Sequence, residues 1–193
     1  STLLPNGRVL LTGGFNGIDT NINTAELYDP LTNTFAPTAG PMTVGRFGHT
    51  ATLLPNGLVL IAGGSPDAVQ NLNTAELYDP ATNTFTAIPN LMTTRRSLHT
   101  ATLLGSGLVL LTGGPVTNTA ELYNPATNTF TATAGTMNAS RYSHRATPLT
   151  SGKVLIVGGT DNATFFNTGE LYDPATNTFT AIPSLMTARR SAA

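Results

Sequence analysis

The chain has 193 residues, a formal net charge of −1 and only 10% charged residues, so it lacks the basic patch with which a protein would hold nucleic acid or an anionic membrane surface. It contains no cysteine, which excludes disulfides and thiolate chemistry within the chain; no run of about 18 apolar residues and no basic-then-apolar leader is visible, so neither a membrane span nor a signal peptide is expected. Hydrophobic residues make up 40% of the chain, enough for a substantial core in one domain or two.

In chain order, residues 2–4 and 8–12 form two short apolar runs around Pro5-Asn6-Gly7. This turn predicts a tight hairpin, with the Asn-Gly pair supplying the positive φ angles. Val9-Leu10-Leu11 is apolar without alternation, so both faces of its strand should be covered. After Gly13-Gly14 comes a loop and then a third strand, 24–28. Asp29, Pro30 and Asn33 mark a turn, since proline presets φ while Asp and Asn bond their own backbone. A fourth strand follows at 34–37. No segment shows helical spacing over a useful length.

This unit recurs. Paired glycines stand at Gly13-Gly14, Gly63-Gly64, Gly113-Gly114 and Gly158-Gly159, in steps of 50, 50 and 45. Glu-Leu-Tyr ends at Tyr28, Tyr78, Tyr123 and Tyr172, with Phe35, Phe85, Phe130 and Phe179 seven residues on. Met42, Met92, Met137 and Met186 each precede an arginine by four residues (Arg46, Arg96, Arg141, Arg190); His49, His99 and His144 stand three further on, where the fourth copy has Ala193. Four strands per repeat, joined as a meander with apolar faces, are what a propeller blade requires. Approximate repeats are 1–48, 49–98, 99–143 and 144–193, read as one domain.

A double glycine after an apolar run at a period near 50 matches the kelch repeat rather than helical solenoids. Through its Arg-x-x-His, Gly-Gly and Glu-Leu-Tyr-Asp-Pro elements, the chain resembles bacterial kelch-repeat proteins over essentially its whole length. Phe35, Phe85, Phe130 and Phe179 occupy a position often held by Trp in that family. The resemblance implies an all-β, kelch-type β-propeller with four blades of four antiparallel strands in this chain: a closed four-blade unit, part of a larger array, or half of an even-bladed propeller completed by a homodimer or a longer parent chain. It specifies the fold well and the function poorly.

A longer period overlies the first. Copies one and three share Leu-Leu-Thr-Gly-Gly, Thr-Ala-Gly before the methionine and an aromatic after the arginine (Phe47, Tyr142), while copies two and four share Ala-Ile-Pro before Leu-Met and a double arginine, Arg95-Arg96 and Arg189-Arg190. The alternation points to duplication of a two-blade unit.

In an up-and-down meander the loops after the second and fourth strands emerge on one face. That face carries the loops of varying length, 15–23, 65–73, 115–118 and 160–167, and the arginine segments. Variation concentrated on one side of a repeat array marks the binding side. The candidate binding residues there are Phe15, Asp19, Phe47, Asp67, Arg95, Tyr142, Asp161, Phe165, Phe166 and Arg189, together with Arg145, which replaces the Thr50 and Thr100 of other copies and is expected to point into the channel. Pro148 on the same strand suits an edge.

Groups present in every blade are read as structure: the glutamates Glu26, Glu76, Glu121 and Glu170 and the repeated arginines as blade-to-blade ion pairs, the histidines as packing residues too far apart to share a metal. Residues 19–23 begin like a calcium loop but lack its glycine and late glutamate. Asn138 and Asn162 head glycosylation sequons. Galactose-oxidase-like kelch enzymes carry copper with a tyrosine–cysteine crosslink, which a chain without cysteine cannot form. The expectation is therefore a non-catalytic module without cofactor or metal that binds a protein or carbohydrate, is extracellular or on the cell surface, and does not bind nucleic acid. The alternatives are the propeller portion of a larger extracellular enzyme and a building block of a symmetric assembly.

Overall fold

The computed structural model describes residues 1–15, 22–67, 69–183 and 186–187. Among the described residues it contains sixteen strands in four antiparallel sheets of four and no helix. The chain divides into two compact units, 1–91 and 92–193.

The first unit holds two sheets. One comprises β1 (Thr2–Leu3), β2 (Val9–Thr12), β3 (Ala25–Asp29) and β4 (Thr34–Pro37); the other comprises β5 (Thr50–Leu53), β6 (Val59–Ala62), β7 (Ala75–Asp79) and β8 (Thr84–Ala87). In each, sequential strands are neighbours. The register is the same in both: Leu11 opposes Glu26 and Val9 opposes Tyr28, as Ile61 opposes Glu76 and Val59 opposes Tyr78. The core lies between the sheets, where Leu10, Ala25, Leu27 and Met42 meet Val59, Ile61 and Tyr78.

The second unit repeats this plan. Its sheets are β9 (Thr100–Leu103), β10 (Val109–Thr112), β11 (Ala120–Asn124) and β12 (Thr129–Ala132), then β13 (Arg145–Pro148), β14 (Val154–Val157), β15 (Gly169–Asp173) and β16 (Thr178–Ala181). Leu110, Ala120 and Met137 pack on Val154, Ile156 and Tyr172. Pro148 ends β13, the edge strand of its sheet, where a missing N–H removes no ladder bond.

Two local expectations need correction. Gly7 adopts a φ of 83° but Asn6 is absent from the left-handed region. Pro5 presets the preceding φ, so the loop is a right-handed turn closed by one left-handed glycine, with Gly7 N–H donating to Leu4 O at 3.0 Å. Nor is every second strand covered on both faces. β6 and β10 are buried throughout, whereas β2 is buried only at Leu10.

The Asp-Pro turn is fixed more firmly than composition suggests. Asn33, Asn83, Asn128 and Asn177 all adopt left-handed φ angles of 55–60°, which Asn tolerates best after glycine. Each accepts a hydrogen bond from the tyrosine five residues earlier, at 2.7–2.8 Å, and each tyrosine ring leans on its phenylalanine at about 5 Å.

Candidate binding face

The base of the face is built by the constant residues. Arg46 Nη2 meets Glu76 at 2.8 Å, Arg96 meets Glu121 at 2.8 Å and Arg141 meets Glu170 at 3.0 Å; all six side chains are buried. Each guanidinium also donates through Nη1 to the carbonyl of the first paired glycine: Gly63 at 2.6 Å, Gly113 at 2.8 Å and Gly158 at 2.7 Å. The second carboxylate oxygen accepts backbone N–H from Thr43, Thr93 and Asn138. Arg96 also donates Nε to Glu121 at 3.2 Å, whereas the Nε of Arg46 and of Arg141 is buried without a partner; the remaining bonds are those by which a buried ion pair is tolerated. The expectation of structural pairs between blades is met at these three, whereas Glu26 is exposed and Arg190 lies outside the described residues. Burial lowers the pKa of each arginine, with the carboxylate pulling it back.

The glycine pair follows from the same packing. A Cβ on Gly13 would lie 2.2 Å from Arg46 O, and on Gly113 2.2 Å from Arg141 O; the next residues, Gly14 and Gly114, donate N–H to those carbonyls at 3.0 Å.

Two of the histidines are engaged by threonines. His49 Nε2 lies 2.7 Å from Thr12 Oγ1, and His144 Nε2 lies 3.0 Å from both Thr100 and Thr112. Burial, with the neighbouring arginine second, pushes His49 down to about 4 and His144 to about 3, so both are neutral imidazoles at neutral pH.

Above this base the variable loops present apolar side chains to solvent. Phe15 is 62% exposed, Val69 88%, Val116 85% and Phe165 53%: one from each loop. In the first unit Phe15 stands beside Phe47 with ring centroids 5.7 Å apart, and Phe47 forms a two-way backbone bridge with Ser65. In the second, Tyr142 forms the equivalent bridge with Thr160, which bridges onward to Phe165. Tyr142 Oη donates to Asn162 Oδ1.

The other predicted residues separate by role. Phe166 is half-buried with its ring 5.0 Å from Arg141 Cζ, so this aromatic pair divides into one packing ring and one exposed ring. The Asp67 carboxylate accepts the N–H groups of Val69 and Gln70, and Asp161 those of Ala163 and Thr164; both shape their own loops. Arg95 is exposed on the arginine segment, while Arg145 is exposed at the start of β13, opposite Val157 at the end of β14 from which the fourth variable loop leaves. Asp19 and Arg189 lie outside the described residues.

Val69 and Val116 are exposed apolar residues that sequence reasoning did not single out, because a lone valine in a polar loop carries no pattern. Val116 is also conformationally unusual. It follows Pro115 in a turn closed by Thr117 N–H to Gly114 O and adopts a φ of 56°, a region disfavoured for β-branched residues. Leu98, on the arginine segment, has a φ of 50° where the first copy has Gly48 at 62°.

The comparisons with known proteins follow this geometry. A search of the curated proteins gives no match. Among solved structures, the chain is similar to that of YjhT, a kelch-type propeller, with a TM-score of 0.74 over 96% of this chain at 13% identity. The chain spans 65% of that structure's length, and a likeness at such identity speaks for the fold alone. The family model described as the Kelch motif matches residues 2–42, 45–92 and 141–186. With these segments covering most of the sequence and all four sheets built to the propeller-blade plan, the chain belongs to the kelch-motif family of β-propellers.

Proposed function

We propose that this chain is a non-catalytic interaction module that binds a macromolecular partner through the variable-loop side of its blades. The observation that carries the reading is that each of four loops different in sequence holds one large apolar side chain more than half exposed: Phe15, Val69, Val116 and Phe165. Exposed apolar groups cost solubility, and their recurrence on loops that the blades do not need for packing fits anchors for a partner. Of protein and glycan, protein fits better. Val69 and Val116 offer aliphatic contact, and the nearby carboxylates of Asp67 and Asp161 already accept hydrogen bonds from their own loops, leaving less polar capacity for sugar hydroxyls. The non-catalytic reading is supported by the repeated histidines and arginines, whose bonds to threonine and glutamate recur from blade to blade and serve packing.

The test screens the chain against a peptide-display library and a glycan array, beside a variant carrying Phe15→Ser, Val69→Ser, Val116→Asn and Phe165→Ser. Peptide ligands that the wild type enriches and the variant loses, at unchanged melting temperature, are the expected result. Ligands retained equally by the variant would remove the loops from the site. Glycans alone, lost in the same way, would move the partner class to carbohydrate.

A further inference from the structure

At the end of each sheet away from the variable loops, the residue before the second strand stands beside the residue that closes the third. The pairs are Arg8 with Asp29, Leu58 with Asp79, Leu108 with Asn124 and Lys153 with Asp173. In the first blade Arg8 donates through Nε and Nη2 to Asp29 Oδ2, both at 3.1 Å; in the fourth, Lys153 Nζ meets Asp173 Oδ2 at 3.0 Å. The third blade replaces both charges together. The second loses only the cation, so that Leu58 stands where a basic residue would and Asp79 keeps its carboxylate.

Asp79 is half-buried, and among the described residues no side-chain donor reaches it. Its Oδ1 accepts Ala81 N–H at 2.8 Å, as Asp29 Oδ1 accepts Leu31 N–H at 2.9 Å. The other oxygen, which the basic residue takes in the first and fourth blades, is left over. Asp79 also lines a cavity of about 300 Å³ inside the first unit, between Pro5 and Asn6 of one hairpin turn and Asn56, Leu58 and Pro80 of the next blade. Asn6 and Asn56 already accept the N–H groups of Arg8 and Leu58 at 3.1 and 3.2 Å, which leaves the carboxylate as the strongest acceptor on the wall. Pro5, Leu58 and Pro80 supply apolar surface for the methylene stem of a long basic side chain. Arg8 is committed to Asp29.

We infer that this cavity is a docking site for an arginine side chain of a partner protein, its guanidinium taking Asp79 Oδ2 as Arg8 takes Asp29 Oδ2. Two N–H donors converging on one oxygen suit the forked guanidinium better than a compact ammonium. The site lies at the other end of the sheets from the variable loops and stands or falls apart from the reading given to them.

Titration of the isotope-labelled chain with N-acetylarginine methyl ester, followed through amide chemical shifts, tests the assignment. Saturable shifts centred on Gly57, Leu58, Asp79 and Ala81 are expected. The neutral isostere, N-acetylcitrulline methyl ester, should bind more weakly by about fivefold or more, with the N-acetyllysine ester between the two. Asp79→Asn should lose the preference for arginine over citrulline yet keep its fold, because Asn124 at the same place in the third blade makes the same turn bond, to Ala126 N–H at 2.9 Å. Leu58→Arg, which gives the second blade the pair of the first, should block the site from within. Equal binding of the arginine and citrulline esters, undiminished binding by Asp79→Asn, or no saturable shift at all would overturn the inference. Lysine bound as tightly as arginine would overturn the choice of a guanidinium.

Discussion

Val116 shows most plainly how one residue divides between stability and use. A left-handed φ costs an L residue about 1–2 kcal/mol, and this one also exposes its side chain; nothing in the blade requires it. Val116→Gly should therefore raise stability by about 1 kcal/mol in urea unfolding while weakening the partner contact. An unchanged unfolding midpoint would show the turn to be unstrained. His144 behaves oppositely, as a residue whose role is wholly internal. Its folded pKa of about 3 lies below the ordinary 6.5, so between these values the unfolded chain binds a proton that the folded chain refuses. Stability then rises with pH through that window, by about 1.4 kcal/mol per pH unit for this group, and the contribution is flat above it. The unfolding midpoint should fall as pH is lowered from 6.5 towards 4, and His144→Gln, though less stable at neutral pH, should show a shallower decline.

At the level of strands and turns, most of the fold could be read from residue order. The paired glycines, the Asp-Pro turns and the short apolar runs locate all four strands of each blade, because those features answer to local constraints. What escaped depended on partners distant in sequence. The Tyr–Asn clasp, Tyr123 to Asn128 for instance, was written in a constant spacing of five, yet spacing alone does not tell a hydrogen bond from two separate turn preferences. The difference between Glu26 and the other glutamates was also hidden, since all four occupy the same motif. Glu26 is exposed while Glu76, Glu121 and Glu170 are buried, which gives a sharp comparison. Glu121→Ala leaves Arg96 buried without its counterion and should cost about 3–5 kcal/mol, whereas Glu26→Ala should lie within about 0.5 kcal/mol of the wild type. Equal losses at the two positions would mean that Glu26 already has a buried partner.

For the whole molecule, the alternation of Arg-Phe or Arg-Tyr with Arg-Arg matches the division into two compact units of two blades. Each unit carries the same junction inside and the same backbone bridge at its loops, Phe47 with Ser65 and Tyr142 with Thr160. The candidate face was legible as a set of loops because their lengths break the repeat. Its members were only partly legible, since Phe165 and Phe166 are indistinguishable in sequence and yet one is solvent-exposed and the other lies against Arg141. The central claim is that repeated residues build the blades and residues outside the repeat are held for a partner. A library of every single substitution, displayed and sorted for protease resistance, tests it in one measurement. The account predicts sharp losses at Glu76, Arg96, Gly113, Tyr123 and Glu170, and tolerance at Phe15, Val69, Val116 and Phe165. Losses at those four loop positions as large as at the junction residues would make them packing residues and contradict it.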